Sequence, residues 1–237
     1  MDRWENCPGS VRECKDKPSL ESDAAKRGTD VHELCERFLR SELPPNEFHA
    51  LDQETKDSVQ LYFNTVTEQY EADPRAQMGL EHRFSLEDVH PGCFGTCDAW
   101  VWNPTTRGLY IYDYKNGVSV VEIKNNAQFL YYALGALVTL KFPALFIEMV
   151  VVQPRAKHKL GPVRRWRIPS MEILDFEDRL VKAAKATENP KAKLVPGRYC
   201  FFCPATFSCP AHLAQRLEDA KNTFTDISTP DDDDPFS

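Results

Sequence analysis

Residues 95–115 read GTCDAWVWNPTTRGLYIYDYK, and this stretch decides the fold. Gly95 to Trp102 alternates in polarity as a half-buried strand does, and Leu109 to Tyr114 is a second run rich in β-formers. Asn103 to Gly108 holds a Pro and a Gly, so the spacing predicts a hairpin loop and an antiparallel pair. Asp98 falls in the middle of the first strand and Asp113 at the end of the second. An acid among Ala, Trp, Ile and Tyr is expensive to bury unless something compensates it. On paired strands the two acids can converge on one cation, and a hard divalent ion such as Mg²⁺ takes one or two carboxylates and fills its other positions with water and phosphate. Lys115 lies two residues after Asp113, so in an extended strand both side chains share a face. That places an ammonium beside the metal, where it can stabilise charge on a phosphate under attack.

Outward from this pair the chain reads as a mixed α/β core. Gly79 to Leu86 predicts a strand before it, and Asn116-Gly117 a tight turn after it. Val118 to Ile123 is expected to extend the sheet, Lys124 to Leu140 to be helical, and Ala144 to Val152 to be a central strand, apolar on both faces. Val163 to Ile168 reads as a further strand and Met171 to Ala186 as a helix. Upstream, Ser22 to Arg40 repeats Val31, Leu34, Cys35, Phe38 and Leu39 at helical spacing. A second helix is expected over Asp52 to Ala72, with Val59, Tyr62, Phe63, Val66 and Tyr70 as its stripe. Residues 1–18 are expected to be irregular, residues 189–199 a Pro/Gly loop, and His212 to Lys221 a short helix. The central order is helix, three strands, helix, strand.

Composition bounds the rest. The 237 residues suffice for one domain of ordinary size, here expected over 1–222, followed by a disordered acidic tail over 223–237. The net charge is −7, and five acids with no base lie in that tail, leaving a body close to neutral. Arg155, Lys157, Lys159, Arg164, Arg165 and Arg167 fall within thirteen residues with no acid between them, a candidate grip on a nucleic-acid backbone. No apolar run reaches the roughly 18 residues a membrane helix needs, and residues 1–5 offer no secretory signal. A cytoplasmic protein is expected, whose eight cysteines are thiols or metal ligands and not disulfides. No Walker A sequence is present.

Further groups share a helix face with an expected partner. Gly28-Thr29-Asp30-Val31-His32 puts a histidine one turn before Glu36, and Gln128 lies four residues before Tyr132. Gly-x3-His, an Asp on a strand, Asp-x-Lys on the next strand and Gln-x3-Tyr on a helix form an ordered set. Over roughly residues 22–152 that set resembles the RecB-like exonuclease branch of the PD-(D/E)xK nuclease superfamily. The resemblance implies a Mg²⁺- or Mn²⁺-dependent DNA exonuclease. It implies His32, Asp98 and Asp113 as metal ligands with the Tyr114 carbonyl, Lys115 as the catalytic lysine, and Gln128 and Tyr132 as residues that position it and the DNA phosphate. Glu36 and Glu81 stand as outer acids or as structural ones.

The cysteines carry a second signal. Cys200-Phe201-Phe202-Cys203 and Cys209 give C-x2-C-x5-C, and a fourth ligand is needed for either tetrahedral zinc or a cubane cluster. Cys7, Cys14 and His212 are the choices, and spacing alone does not separate the metals. Cys35, Cys93 and Cys97 read as small thiols away from such a site. One cysteine near the N-terminus with C-x2-C-x5-C near the C-terminus resembles the iron–sulfur nucleases, the CRISPR-associated exonuclease branch and the AddB-type helicase–nucleases. Arg3-Trp4-x-Asn6-Cys7-Pro8-Gly9-Ser10 followed by Gly28-Thr29-x2-His32 is also similar to a phage and prophage group of the superfamily. This resemblance implies a structural [4Fe–4S] cluster on Cys7, Cys200, Cys203 and Cys209, with zinc as the alternative, and a place in DNA recombination. The segment Asp231-Asp232-Asp233-Asp234-Pro235-Phe236-Ser237 resembles the acidic tail of single-stranded-DNA-binding proteins, which makes a recombination or single-strand-binding partner an expectation. A reading from another class is a non-catalytic DNA-binding or assembly module on the same fold.

Overall fold

A computed structural model describes residues 2–18 and 23–225, with the side chains of residue 2, of 23–29 and of 224–225 outside the description. In chain order the elements are α1 (Asp2–Asn6), α2 (Ser10–Glu13), α3 (Asp23–Leu39), α4 (Pro45–Ala50), α5 (Gln53–Glu71), β1 (Gln77–Ser85), β2 (Phe94–Asn103) and β3 (Gly108–Tyr114). They continue as α6 (Ala127–Leu140), β4 (Phe146–Val152), β5 (Val163–Pro169), α7 (Ser170–Thr187), a 3-10 turn (Arg198–Phe202) and α8 (Pro210–Thr225). Within the span expected as one domain, the chain gathers into two compact units. One is Glu21–Val181; the other joins Met1–Leu20 to Lys182–Ser237. The tail expected to be disordered from residue 223 begins as helix, since α8 runs through Thr225, and the acidic residues beyond it lie outside the described residues.

The first unit is built on one five-stranded sheet in the order β1-β2-β3-β4-β5. β1, β2 and β3 are antiparallel neighbours, β3 and β4 are parallel, and β4 and β5 are antiparallel. The helix–three strands–helix–strand order expected from the sequence is the order observed. The parallel step needs a crossover, and α6 supplies it, as parallel neighbours require.

Helices α3 and α5 cover one face. Val59, Tyr62 and Val66 of α5 are fully buried and meet Ala99, Val101, Tyr110, Tyr112 and Val150 of the strands in one core cluster, with Cys35 and Leu39 of α3. Each buried Val or Leu of this cluster contributes about 1.5–3 kcal/mol of burial. Asp52 starts α5 by accepting a hydrogen bond from Thr55 N at 2.9 Å. α6 packs against the sheet as well: Phe129, Leu130, Tyr131, Ala133 and Leu134 are buried, and a Cβ at Gly135 would stand 2.7 Å from Phe84 Cβ. Glycine there lets β1 and α6 approach closely.

Three local expectations need correction. Val118–Ile123 is not a strand, and Asn116-Gly117 does not turn a hairpin. This segment is held by a side chain. Gln153, fully buried, donates from Nε2 to Gly117 O and Ser119 O, both at 2.8 Å, and its Oε1 accepts from Val121 N at 3.1 Å. Residues 1–18 are not wholly irregular, since they contain α1 and α2. The short helix α4 also had no clear sequence signal. It begins with Pro45 at its first turn, and its Phe48 stacks on Phe38 at 4.9 Å between ring centroids.

Candidate metal centre and cysteine cluster

Where β1 meets β2, the ladder pairs Leu80 with Ala99 and then His82 with Cys97. Glu81 and Asp98 are left between the paired positions as an extra residue on each strand. Leu80 and Ala99 pack toward α3 and α5. Phe84 and Gly95 instead meet α6, where the position of a Gly95 Cβ lies 3.0 Å from Tyr131 and 3.2 Å from Tyr132. The doubled insertion thus shifts the alternation by one residue, as a bulge does. Glu81 takes a left-handed backbone at φ 48° to make the shift. For a non-glycine residue this costs about 1–3 kcal/mol, and such strain collects at functional sites.

The shift aims Glu81 and Asp98 at His32 on α3. His32 Nε2 lies 2.9 Å from Asp98 Oδ2 and 3.5 Å from Glu81 Oε1. One ligand atom from each of the three lies within 4.8 Å of the others. Glu81 Oε1 is buried and has no hydrogen-bond partner. Beyond Ala99 and Tyr112, where the β2–β3 pairing ends, the Tyr114 amide donates to Asp98 Oδ2 at 2.6 Å. Asp98 therefore closes the end of the ladder with its side chain. Tyr114 meets the site here through its amide, whereas its carbonyl was the expected ligand.

Asp113 is 1 % exposed, and Lys115 Nζ sits 2.6 Å from its Oδ2. The face-sharing expected of Asp-x-Lys is thus realised. Gln128 Nε2 donates to the Tyr132 hydroxyl at 2.7 Å, joining the two α6 residues into one unit. Glu36, in contrast, is ion-paired to Arg40 at 2.8 Å on its own helix.

The electrostatics follow from these contacts. The hydrogen bond to Asp98, helped by the charges of Asp98, Glu81 and Asp113, raises His32 to about 9 against the cost of burial. Burial raises Glu81 to about 7, and Asp98 adds to the rise while His32 opposes it. Burial also raises Asp113, opposed by the Lys115 ammonium. Burial alone would lower Lys115, but Asp113 and Asp98 override it and keep the ammonium charged. The site is a crowd of carboxylates balanced by one imidazolium and one ammonium. An imidazole with clustered carboxylates, one oxygen of them buried and unbonded, is a donor set that suits a hard divalent cation.

The expected basic grip needs correction. Arg164 is 2 % exposed and holds the loop after β3: it donates to Gln153 Oε1 at 2.5 Å, Val121 O at 3.1 Å and Gly161 O at 3.3 Å. Arg165 pairs with Glu148 at 3.2 Å and Glu68 at 2.6 Å, and Arg167 with Glu148 at 2.7 Å. Arg155 pairs with Glu54 at 2.8 Å. The acids missing from this stretch of sequence arrive from α5 and β4. Lys157 and Lys159 are exposed.

The second unit holds five of the eight cysteines, Cys7, Cys14, Cys200, Cys203 and Cys209. Cys7, Cys200 and Cys203 are buried and Cys209 is half-buried, and all four line one small cavity together with Ser10, Tyr199 and His212. All eight cysteines are free thiols. Backbone amides aim at two of the sulfurs: Val195 N at Cys7 Sγ, 3.2 Å, and Gly197 N at Cys200 Sγ, 3.4 Å. Cys14, the alternative ligand, has its sulfur 3.5 Å from that of Cys203. The Nδ1 of His212 lies 2.9 Å from Thr206 O. Chain ends nearly two hundred residues apart thus bring thiols to one place, with Gly9 N donating to Lys193 O at 2.9 Å beside them. Soft sulfur ligands with amide donors suit zinc or an iron–sulfur cluster by chemistry, although among the described residues no three of these sulfurs lie within 4.8 Å of one another. In the other unit Cys35 and Cys97 are buried singly, as small hydrophobes.

A family model described as a protein of unknown function, DUF2800, matches residues 1–235, and the chain belongs to that family. Among solved structures, that of the protein SSO0001 shares 15% identity, with 88% of this chain and 84% of that one covered and a TM-score of 0.35. A protein of Eubacterium rectale described as a "putative exonuclease" shares 9% identity, with 81% and 84% covered and a TM-score of 0.37.

Proposed function

We infer that this member of the DUF2800 family is a divalent-cation-dependent deoxyribonuclease. It removes nucleotides from DNA ends, and it carries a structural [4Fe–4S] cluster. One observation carries the reading: His32, Glu81 and Asp98 bring a ligand atom each within 4.8 Å of one another beside the buried pair of Asp113 and Lys115. His32, Glu81 and Asp98 would hold Mg²⁺ or Mn²⁺, with Asp113, expected as a ligand but outside that group of three, as a further carboxylate. When bound, the ion supplies a polarised phosphate oxygen and a water of lowered pKa.

The chain's own residues do the rest. Lys115 keeps its ammonium next to the acids and offers it to the non-bridging oxygens of the scissile phosphate, whose charge grows in the transition state. Asp113 fixes that ammonium in place. The Gln128–Tyr132 hydrogen bond orients a phenol and an amide at the same side of the site. The Tyr114 amide holds the Asp98 carboxylate, which in turn holds the His32 ring. In the other unit, Cys7, Cys200, Cys203 and Cys209 would bind the cluster, and closing so long a loop with metal bonds removes unfolded-chain entropy.

End-labelled single- and double-stranded DNA with Mn²⁺ tests the reading on wild type and Lys115→Ala. Nucleotide release by wild type and its loss in the variant are expected. Intact DNA with both proteins overturns the enzyme. Iron at about four atoms per chain in anaerobically purified protein supports the cluster, in line with its four-iron core. One equivalent of zinc without iron replaces the cluster with the alternative metal.

A further inference from the structure

The shift at Glu81 and Asp98 has an effect beyond the metal centre. Downstream of it the ladder runs His82–Cys97, Arg83–Thr96, Phe84–Gly95 and Ser85–Phe94. Phe84 and Gly95 face α6. By alternation Arg83, Ser85, Thr96 and Phe94 share the other face, and so do Glu81 and Asp98. One row of side chains therefore leads from the metal centre along the β1–β2 ribbon to its hairpin end. Phe94 lies four residues from Asp98, about 13 Å along the strand at 3.3 Å per residue.

Phe94 is 50 % exposed, and the Arg83 guanidinium sits over its ring at 3.5 Å from the centroid. Both line an open depression of about 290 Å³ with Ser85, Glu87, Gly92 and Cys93. Gly92 has φ 78° and nothing within 4 Å of where a Cβ would be, so this wall stays low. The depression holds one cation and one carboxylate. Its charge cancels, which does not favour a phosphate. An aromatic face backed by a guanidinium suits an uncharged flat group.

The geometry points to Phe94, backed by Arg83, as a stacking platform for a nucleobase of single-stranded DNA whose backbone continues into the His32–Asp98 site. This rests on the nuclease reading for the identity of the strand, and it specifies how that strand is held. Base stacking does not depend on sequence, so the platform favours an unpaired end over a duplex without choosing among bases.

The test uses the full chain, a single-stranded oligonucleotide with 2-aminopurine at successive positions, and Ca²⁺ in place of Mn²⁺ so that the readout needs no turnover. Wild type should quench the fluorophore at a few adjacent positions. Phe94→Leu keeps the apolar bulk and loses the π face; it should abolish the quenching and weaken binding about 5- to 100-fold. Phe94→Trp should restore both. Quenching and affinity in Phe94→Leu equal to wild type overturn the platform, as does a wild type that shows no quenching at all. If wild type quenches in this way but never cleaves DNA, the platform stands and the nuclease reading falls.

Discussion

The two metal-capable regions are assembled in opposite ways. In the sheet unit, the acids sit on strands whose ladder and buried neighbours would hold their positions with no ion present. Asp98 is anchored by a backbone amide at 2.6 Å, and Asp113 lies in β3, every residue of which is buried. In the cysteine unit the support is thin. α1 has 5 residues and α2 has 4, and Phe201, Phe202 and Phe207 are 76–81 % exposed. The first region is a rigid frame that can lend its acids to an exchangeable ion. The second has few apolar contacts of its own, so metal bonds would supply the folding free energy there. On the proposed reading, the comparison teaches that one chain would use metal for chemistry where the core is strong and for structure where it is weak.

The largest effect that could break this comparison is on turnover. Asp98→Asn should lower the rate of DNA hydrolysis at least about 100-fold in protein that circular dichroism shows still folded, because the amide fills the same space even as the ion pair with His32 is lost. A rate within a factor of two of wild type breaks the assignment. The next effect belongs to the cysteine unit. Cys200→Ser, or removal of the metal by chelation, should make residues 1–20 and 182–225 sensitive to protease while a fragment near 21–181 persists. Simultaneous digestion of both units would erase the distinction between them.

Arg164→Met sharpens the account of the basic stretch. It should destabilise the fold by about 1–3 kcal/mol, since the side-chain acceptor of Gln153 and the carbonyls it serves lose a buried donor. It should leave the salt dependence of DNA binding unaltered. Lys157→Ala with Lys159→Ala should do the reverse, lowering the salt slope with little change in stability. Chemical denaturation and binding titrations over salt separate the two.

A smaller effect is the pH dependence of metal binding. In metal-free protein His32 is raised to about 9, so at pH 7 it carries a proton that an incoming ion must displace. Affinity for Mn²⁺ should therefore rise with pH, by about tenfold per unit between pH 7 and 9, with release of one proton from His32 and, near pH 7, part of a second from Glu81, which is raised to about 7. Calorimetry in buffers of different ionisation enthalpy reads that release. Asp52→Ala is the smallest: loss of the α5 cap should cost about 1 kcal/mol with no effect on metal or DNA.

Much of the frame was legible before any coordinates, for a physical reason. α3 and α5 bury a stripe at helical spacing, and β2, β3 and β4 are runs of β-formers separated by turn residues, so local pattern and tertiary burial agree. The pairing of Asp113 with Lys115 followed from strand alternation. What was not legible depends on residues distant in sequence. Val118–Ile123 has strand composition, but the buried Gln153 takes its backbone groups. The basic stretch looked free because Glu148 and Glu68 lie on other elements. Glu81 was underweighted for the same kind of reason: in a regular strand, alternation would put it on the wrong face, and only the positive φ and the doubled insertion turn it toward His32.

The most direct test of the shared-ion geometry is the anomalous scattering of a crystal soaked in Mn²⁺. A single peak about 2.1 Å from His32 Nε2 and from oxygens of Asp98 and at least one of Glu81 and Asp113, with Lys115 Nζ in the next layer, is the predicted result. No peak at this position, in protein that binds Mn²⁺ elsewhere, would contradict it.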